Sequence, residues 1–419
     1  MLERALKTIP LGSQTFSKSM IQYPVGVSPL FLERGEGSRV WDIDGNSYID
    51  FVNGLLSVSI GYNNPIINAA VLEQLNNGVT FSLPHRLETE VAEMLVDMVP
   101  CAEMVRFGKN GSDATSAAVR LARAYTDREH ILVCGYHGWQ DWYIGSTTRD
   151  LGVPEAVKNL THKFQYNNID SLKELFEKYK DKIAGVIMEP MNIAWPENDF
   201  LLEVKNICHK NAAVLIFDET ITGCRFANGG AQELFGVTPD LATFGKGLAN
   251  GLPLSAVLGR RDIMNKMEGI FFSGTFGGET LSLAAAKAVL TLIRDKGVVK
   301  QIEDKGNLLL NSLNKLIQEN NAESIFNVSG HPSWSFFNIK GTDESSSWAI
   351  YTLYLQEMFK RGILTLGSHN ISYSHSDNDI KYLVSTYAEI IPLIVKGINE
   401  KYIDKILEVD ALKPVFKVR

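Results

Sequence analysis

The strongest constraint on the fold is an alternation of short apolar segments with helical patterns between residues 100 and 290. Each apolar segment is nearly continuous, which is typical of strands buried on both faces of a sheet. Strands are predicted at Met104–Phe107, Ile131–Cys134, Ala184–Met188, Val214–Phe217, Leu241–Phe244, Ser255–Leu258 and Ile270–Phe272. Helices are predicted between them at Ala114–Tyr125, Ser171–Tyr179 and Leu201–Lys210. This order predicts an α/β fold with a largely parallel sheet.

The two ends of the chain have a different pattern. Residues 1–60 are rich in glycine, proline and turn residues, with a hairpin predicted from Arg39–Asp42 to Ser47–Phe51. Towards the C-terminus, helices are predicted at Val298–Gln318, Ser346–Arg361 and Asp377–Lys396, and a strand at Ser333–Ile339. We therefore predict a large domain over residues 61–295 and a smaller α+β domain, in which the segment 1–60 joins residues 296–419.

Charge and composition exclude several classes of protein. The 419 residues include 41 Lys and Arg against 48 Asp and Glu, so the net charge is −7 and no nucleic-acid partner is expected. The four cysteines form no C-x-x-C pair, which predicts reduced thiols and no metal site. The first residues lack the apolar core of a signal peptide, and no apolar segment is long enough to span a membrane. A cytoplasmic protein is therefore expected.

The segment Asn110–Ala114 follows a predicted strand and begins an amphipathic helix. Gly111 permits close approach of the backbone, Ser112 supplies a hydroxyl group, and the first N–H groups of a helix are free to bind an anion. This arrangement predicts a phosphate or anion site. The alternative interpretation is a Ser/Asp helix cap that binds no ligand.

Two predicted strands end in carboxylates. Asp218 and Glu219 follow the strand Val214–Phe217, and Glu189 follows the strand Ala184–Met188. Because α/β sheets bind ligands at the carboxyl ends of their strands, Asp218 could face a metal, a ribose or a protonated ring nitrogen. The alternative for Asp218 is a loop residue that caps the next turn.

A single lysine flanked by glycines, Lys246, follows the predicted strand Leu241–Phe244. Glycines leave room for a bulky group against the backbone. A lysine near an apolar surface loses its proton more readily and becomes a candidate for forming a Schiff base. The alternative is a solvated lysine in a surface turn.

Two further segments could contact a flat, phosphorylated ligand. Tyr136 and His137 follow the strand Ile131–Cys134 and could stack on a ring or hydrogen-bond to it, although the same residues fit an aromatic core cluster. The segment 273–278 combines glycines with Thr275 and could reach a phosphate, or could be a flexible loop.

Together these segments resemble the class III, fold type I aminotransferases that use pyridoxal phosphate, and the nearest branch is that of glutamate-1-semialdehyde aminomutase. The resemblance rests on Asn110–Ala114, Tyr136-His137-Gly138, Glu189-Pro190, Asp218–Gly223 and Gly245-Lys246 followed by Gly274-Thr275, in that order. It implies a large domain with a mostly parallel seven-stranded sheet, matching the number of predicted strands, and a smaller α+β domain. It also implies pyridoxal 5'-phosphate as the cofactor and a homodimer with shared active sites.

The resemblance implies roles for individual residues. Lys246 would bind the cofactor as a Schiff base and then shuttle a proton, and Asp218 would pair with the pyridine nitrogen of the cofactor. Thr275 would reach the phosphate of the neighbouring subunit. The other cofactor contacts it implies are Gly111 and Ser112 at the phosphate and Tyr136, His137, Glu189, Asn192 and Thr220 around the ring.

Departures from the family pattern bear on the substrate. Thr220 stands where the family usually has valine, and Cys224 where it usually has an aromatic residue. Lys18 stands where the aminomutase branch has an arginine that binds a substrate carboxylate, and lysine lacks the rigid fork of arginine. The segment 145–149 replaces the lid of that branch, and its substrate-side glutamate has no counterpart near Asn370–His375.

These features predict a pyridoxal-phosphate-dependent aminotransferase. It would move an amino group from an amino-acid donor to an aldehyde or ketone without an α-carboxylate, sugar-like in character. The alternative is glutamate-1-semialdehyde 2,1-aminomutase or a related aminomutase. A non-catalytic binding protein is disfavoured because Lys246 and Asp218 are both present.

Overall fold

The computed structural model describes residues 1–343 and 345–413. The strands formed by these residues are β1 (Leu32–Glu36), β2 (Arg39–Asp42), β3 (Ser47–Asp50), β4 (Met104–Gly108), β5 (His130–Cys134), β6 (Thr161–Lys163), β7 (Ile183–Met188), β8 (Val214–Asp218), β9 (Leu241–Phe244), β10 (Ser255–Gly259), β11 (Phe326–His331), β12 (Trp334–Ile339), β13 (Ile363–Leu364) and β14 (Ser368–Asn370).

The α-helices of the described residues are α1 (Leu2–Leu6), α2 (Asn53–Leu56), α3 (Pro65–Leu75), α4 (Arg86–Met98), α5 (Gly111–Thr126), α6 (Asp141–Ile144), α7 (Glu155–Lys158), α8 (Ile169–Lys178), α9 (Phe200–Lys210), α10 (Ala231–Phe235), α11 (Arg261–Met264), α12 (Met267–Ile270), α13 (Thr280–Lys296), α14 (Val298–Glu319), α15 (Ser347–Lys360), α16 (Asp377–Asn399) and α17 (Ile403–Ile406). Short 3-10 helices lie at Pro10–Gly12, Phe16–Lys18 and Lys246–Ala249.

The described chain divides into two compact units. One comprises residues 56–58 and 65–299, and the other comprises residues 1–55, 59–64 and the described residues from Lys300 onward. The first unit contains a seven-stranded sheet in the order β4-β10-β9-β8-β7-β5-β6. The run from β9 to β6 is parallel, whereas β10 is antiparallel to both of its neighbours. The mostly parallel seven-stranded sheet predicted from the sequence is confirmed.

The central strands of this sheet are apolar because helices cover both of its faces. Every residue of β7 and β8 is buried. Ile216 belongs to a core cluster that includes Leu121 of α5, whereas Phe217 belongs to a second cluster that includes Val204 of α9. Successive residues of a strand point to opposite faces, so a continuous apolar segment fills both clusters. Full burial of each such side chain contributes roughly 1.5–3 kcal/mol to the free energy of folding.

Two details of the strand prediction are wrong. Residues Ile270–Phe272 form no strand, because Ile270 ends α12 and Phe271 has a φ of +44° and is 86% exposed. A three-residue apolar segment does not distinguish a strand from the end of a helix. The strand Thr161–Lys163 was not predicted, since β6 lies at the edge of the sheet and edge strands carry polar residues.

The helix α5 is defined by its ends. At its start the Asn110 side chain accepts from the backbone N–H of Asp113, and the Asp113 side chain accepts from the backbone N–H of Asn110. Such a reciprocal cap stabilises a helix by about 1 kcal/mol. At its end Asp127 adopts a left-handed conformation with φ of +55° and terminates the helix. The helix therefore begins three residues before the predicted Ala114, directly after the turn at Asn110.

The second unit contains two small sheets, in the orders β1-β2-β3-β13 and β11-β12-β14. The predicted hairpin is present, with β2 antiparallel to β3. Its turn is held by Asp42, whose Oδ1 accepts from the backbone N–H groups of Asp44 and Asn46 at 3.0 and 2.8 Å. The long helices α14, α15 and α16 of this unit lie where the sequence predicted helices.

Candidate active site

Side chains singled out from the sequence converge at one edge of the seven-stranded sheet. The strands β5, β7, β8 and β9 are parallel, so their carboxyl ends meet there. The residues that follow or end these strands are Tyr136 and His137 after β5, Glu189 after β7, Asp218 at the end of β8 and Lys246 after β9. The sheet thus gathers residues that are far apart in the chain.

The carboxylate of Asp218 is buried and hydrogen-bonded on both oxygens. Its Oδ2 lies 2.8 Å from Nδ1 of His137. Its Oδ1 accepts from the hydroxyl groups of Thr220 and Thr243, at 2.5 and 2.9 Å, and from the backbone N–H of Thr220 at 3.1 Å. Each carboxylate oxygen has two lone pairs, so Oδ2 keeps one position for a further donor.

These partners determine the charge of Asp218. Burial raises the pKa of Asp218, but the hydrogen bond and Coulombic attraction of His137, together with the hydrogen bonds from Thr220, hold the pKa below its ordinary value. A carboxylate with a depressed folded-state pKa stabilises the fold above its unfolded-state pKa, and this contribution is lost as the pH falls through the folded-state pKa. Asp218 is therefore negatively charged at neutral pH.

The imidazole of His137 is held from several sides. It is 1% exposed, its backbone carbonyl accepts from the hydroxyl of Thr115 at 2.9 Å, and its ring meets the ring of Tyr143 edge-on at 5.3 Å. Its Nε2 is buried and has no hydrogen-bond partner among the described residues. With Nδ1 committed to Asp218, His137 orients that carboxylate within the sheet edge.

The turn at the start of α5, residues 110–113, lies beside the loop after β5. The Oγ of Ser112 accepts from the backbone N–H of Trp139 at 3.3 Å. Gly138 has a φ of +105°, and a Cβ placed there would lie 2.2 Å from the same Oγ. Only glycine fits at position 138, both because of its φ and because Ser112 occupies the space of a side chain.

Lys246 has a strained backbone conformation. Its φ is +42°, in the left-handed region that residues with a Cβ seldom adopt. It begins the 3-10 helix Lys246–Ala249 directly after β9, and its side chain is half-buried. Backbone strain of this kind costs on the order of 1–3 kcal/mol and clusters at functional sites.

Glu189 connects the loops after β5 and β7. Its Oε2 accepts from the backbone N–H of Tyr136 and from Nδ2 of Asn192, both at 3.0 Å. The Oδ1 of Asn192 is buried without a hydrogen-bond partner among the described residues. A cavity of about 380 Å³ opens beside Glu189 and Asn192, and its other walls include Lys163, Phe164, Tyr166 and Ile193.

The remaining predicted site residues are Thr275 and Lys18. Thr275 is exposed in the loop before α13, where the backbone N–H of Gly277 donates to the carbonyl of Gly274 at 3.0 Å. Lys18 ends the 3-10 helix Phe16–Lys18 and belongs to the other compact unit. A substrate role for Lys18 stays a prediction.

Sequence reasoning missed two polar residues of the site. Thr243 is buried within β9 and donates to Asp218, and Ser255 at the start of β10 has a buried hydroxyl oxygen without a partner among the described residues. Both are hydroxyl side chains in otherwise apolar strands, which is the signal that could have identified them.

Residues 1–343 and 345–413 contain no cluster of three or more His, Cys, Asp or Glu side chains arranged to hold a metal ion. In the same part of the chain, no helix combines the length and the apolar character needed to cross a bilayer.

Comparison with known proteins gives one consistent result. The family model "Aminotransferase class-III" matches residues 22–375. The 3-aminobutyryl-CoA aminotransferase of Cloacimonas acidaminovorans is 32% identical over 94% of this chain and 97% of its own. The glutamate-1-semialdehyde 2,1-aminomutase of Persephonella marina is 37% identical over 85% of this chain and 90% of its own.

A solved structure shares the architecture. The FumI protein of Sphingopyxis sp. MTA144, in its pyridoxal-phosphate internal aldimine form, superposes with a TM-score of 0.88 and 28% identity. The match covers 95% of this chain and 96% of that one. The resemblance and the fold type predicted from the sequence are confirmed.

Proposed function

Because this chain belongs to the class III aminotransferases, enzymes that use pyridoxal 5'-phosphate, we propose that it transfers an amino group from an amino-acid donor to an aldehyde or ketone acceptor. The observation that carries the proposal is the buried, negatively charged Asp218, which His137 holds at the edge of the sheet. Lys246, with its strained backbone, follows a strand that ends at the same edge.

The residues present fit the cofactor. The free lone-pair position on Oδ2 of Asp218 suits the N–H of a protonated pyridine ring. Gly111 and Ser112 begin a 16-residue helix, so their backbone N–H groups have no acceptor within it, and Ser112 adds a hydroxyl group where a phosphate is favoured. Gly138 leaves no side chain in front of Ser112. When bound, the cofactor supplies a reactive aldehyde and an electron-accepting ring.

We assign the reacting amine to Lys246. Its amine would hold the cofactor covalently. It would then take a proton from the substrate carbon that carries the amino group and deliver that proton to C4′ of the cofactor. The strained backbone of Lys246 supports this assignment, because a fixed backbone restricts the positions that the amine can reach.

We assign to Asp218 the task of keeping the ring nitrogen protonated. A carboxylate that remains charged at neutral pH favours a proton on its partner, and a charged ring withdraws electrons more strongly. His137 and Thr243 position Asp218, while Thr220 both positions it and borders Gly111. Tyr136 and Asn192, both tied to Glu189, are proposed to contact the ring and its hydroxyl group.

We propose that the acceptor lacks a carboxylate next to its carbonyl group. Lys18 in place of a forked arginine supports this, because lysine holds a carboxylate less rigidly. The name of the similar 3-aminobutyryl-CoA aminotransferase also supports this proposal. In 3-aminobutyryl-CoA the carbon that carries the amino group has no carboxylate attached. The sugar-like acceptor predicted from the sequence belongs to this class and is one candidate within it.

A second candidate function is that of an aminomutase, supported by the 37% identity to a glutamate-1-semialdehyde 2,1-aminomutase. An aminomutase makes its product without consuming a second carbonyl compound. An absolute requirement for a co-substrate would therefore exclude it. Product formed from glutamate semialdehyde alone would exclude the aminotransferase proposal.

We further propose a homodimer located in the cytoplasm. Thr275 and the neighbouring Phe271 and Phe276 are exposed, and the two phenylalanines are 86% and 58% exposed, as suits a surface that a second subunit covers. The cysteines Cys101, Cys134, Cys208 and Cys224 are all unpaired thiols, which is typical of a reducing compartment.

The test is a half-reaction followed by absorbance. Protein loaded with pyridoxal phosphate is mixed with single amino donors, and the aldehyde form of the cofactor should convert to its amine form. Borohydride treatment before mixing should attach the cofactor to the peptide that contains Lys246. Attachment to another lysine, or no conversion with any amino donor, would refute the proposal. Lys246→Ala is the control that should show neither signal.

A further inference from the structure

An ion pair joins the turn 110–113, which is expected at the phosphate of this subunit's own cofactor, to the segment that carries Thr275, which is expected at the phosphate of the neighbouring subunit. The Nζ of Lys109 lies 3.0 Å from Oε2 of Glu279, and the two side chains are only 21% and 13% exposed. Lys109 directly precedes the turn of residues 110–113, and Glu279 directly follows the segment 273–278 that carries Thr275. The pair itself has no part in the steps assigned above.

Lys109 is built into the turn through its backbone. The backbone N–H groups of Lys109 and Asn110 both donate to Oδ2 of Asp113, at 2.9 and 3.1 Å. The same Asp113 closes the cap at the start of α5. A displacement of Lys109 would therefore disturb the cap at the start of α5, because the N–H groups of Lys109 and Asn110 share one carboxylate oxygen of Asp113.

Glu279 is built into the start of α13. Its Oε1 accepts from the backbone N–H of Leu281 at 2.6 Å, and its Oε2 accepts from the hydroxyl of Ser282 at 2.6 Å as well as from Lys109. Burial raises the pKa of Glu279, but the hydrogen bonds from Ser282 and Lys109 and the charge of Lys109 outweigh it and lower the pKa. Glu279 is therefore ionised, and its carboxylate forms an ion pair with the ammonium of Lys109.

The segment before Glu279 lies along the end of β4. Nη2 of Arg106 donates to the carbonyl of Phe272 at 3.2 Å. A Cβ placed on Gly277 would lie 3.4 Å from the carbonyl oxygen of Phe107, so the two backbones are in close contact there. The Lys109–Glu279 ion pair adds a further contact, next to the turn of residues 110–113.

We propose that Lys109 and Glu279 are positioning residues, which fix the turn 110–113 at the phosphate of their own subunit's cofactor and the segment 273–278 for the phosphate of the neighbouring subunit's cofactor. The inference rests on the proposed function and adds to it a specific pair of side chains. Lys109 acts through Glu279 and not as a phosphate ligand, because its ammonium is already neutralised by a partly buried carboxylate. Removing either partner leaves the other charge unpaired. The two single substitutions should therefore lower the affinity for pyridoxal phosphate by similar factors.

The experiment compares the affinity of the apoenzyme for pyridoxal phosphate with its affinity for pyridoxal, which lacks the phosphate. Lys109→Met and Glu279→Gln are each expected to weaken pyridoxal phosphate binding about tenfold and to leave pyridoxal binding unchanged. The double variant should lose no more affinity for pyridoxal phosphate than either single variant does. Lys109→Arg should bind pyridoxal phosphate as tightly as the parent protein does. The matched control is Lys287→Met, which breaks an exposed ion pair between α13 and Glu90 and should change neither affinity.

Three results would overturn the inference while leaving the proposed function intact. Tighter binding of pyridoxal phosphate by Glu279→Gln would show that released Lys109 contacts the phosphate directly. Equal losses for pyridoxal and pyridoxal phosphate would show a general effect on folding. Unchanged affinity in both single variants would show that the pair positions nothing. If the parent protein binds pyridoxal phosphate no better than Lys246→Ala does, the proposed function itself is wrong.

Discussion

Oδ2 of Asp218 and Nδ1 of His137 lie 2.8 Å apart, and both side chains are almost completely buried. The remaining ring nitrogen of His137 has no partner among the described residues, whereas Oδ1 of Asp218 is held by two threonine hydroxyl groups. This relationship keeps a negative charge at a fixed point of the sheet edge. In the proposed function, this charge is already in place for a cationic ring nitrogen before any ligand binds.

Asp218→Asn should keep the shape of the site and remove its charge. We expect kcat to fall by roughly 10²–10³, the range found when one electrostatic contact to a reacting group is lost. The absorbance of the bound cofactor should also show an unprotonated ring nitrogen. Thr243→Val is the comparison, because it removes one hydrogen bond to Asp218 and leaves the charge. Equal activities of Asp218→Asn and the parent protein would contradict the assigned role.

Gly138→Ala should disrupt the turn of residues 110–113, to which the proposed function assigns the phosphate. The added Cβ would lie 2.2 Å from Oγ of Ser112, and the φ of +105° is strained for alanine. We expect a loss of about 1–3 kcal/mol in the free energy of unfolding and at least a tenfold loss in affinity for pyridoxal phosphate. Denaturant unfolding and cofactor titration measure the two effects. Gly269→Ala is the control, since a Cβ there meets no atom within 4 Å.

Mixed dimers would test whether the active sites are shared. If Thr275 of one subunit serves the site of the other, a dimer of one Lys246→Ala and one Thr275→Ala subunit contains one complete site. Free exchange of equal amounts of the two variants makes about half of the dimers mixed, and each mixed dimer has one of its two sites complete. The activity should then rise above the sum of the separate variants, towards about a quarter of that of the parent protein. Activity that stays at the sum would place Thr275 in its own subunit's site or outside any site.

Acidification should destabilise the protein through His369. This histidine is fully buried, with Nδ1 3.0 Å from Oγ of Ser335 and Nε2 2.7 Å from the hydroxyl of Tyr387, and burial lowers its pKa to about 3. Between the ordinary histidine pKa of about 6.5 and that value, the unfolded chain binds a proton that the folded chain does not. Stability is therefore complete above about pH 6.5 and falls as the pH decreases.

The variant His369→Gln isolates this contribution. Between pH 8 and pH 5 its free energy of unfolding should fall by about 2 kcal/mol less than that of the parent protein. Urea unfolding at the two pH values gives the difference. Parallel pH profiles for the two proteins would mean that His369 gains a proton in the folded state.

Local patterns in the sequence were sufficient for most of the large sheet. The segments of β7, β8 and β9 are apolar on both faces, so their burial follows from composition alone. The start of α5 was likewise marked by its capping residues. The segment Ile270–Phe272 was assigned wrongly because it is not a buried strand: Ile270 and Phe272 are only partly buried and Phe271 is 86% exposed. Burial is a property of the neighbours in space, which a short segment does not specify.

For this protein, the sequence by itself determined most strands of the large sheet, the strand-end positions of Asp218, Glu189 and Lys246, and the family to which they point. Only the tertiary structure decided that Thr243 and His137 hold Asp218, that Ser112 excludes a side chain at Gly138, and that Lys109 pairs with Glu279. The physical reason is that alternation and capping are local in the chain. Hydrogen bonds and ion pairs between residues 25 to 170 positions apart depend instead on how parallel strands bring their ends together.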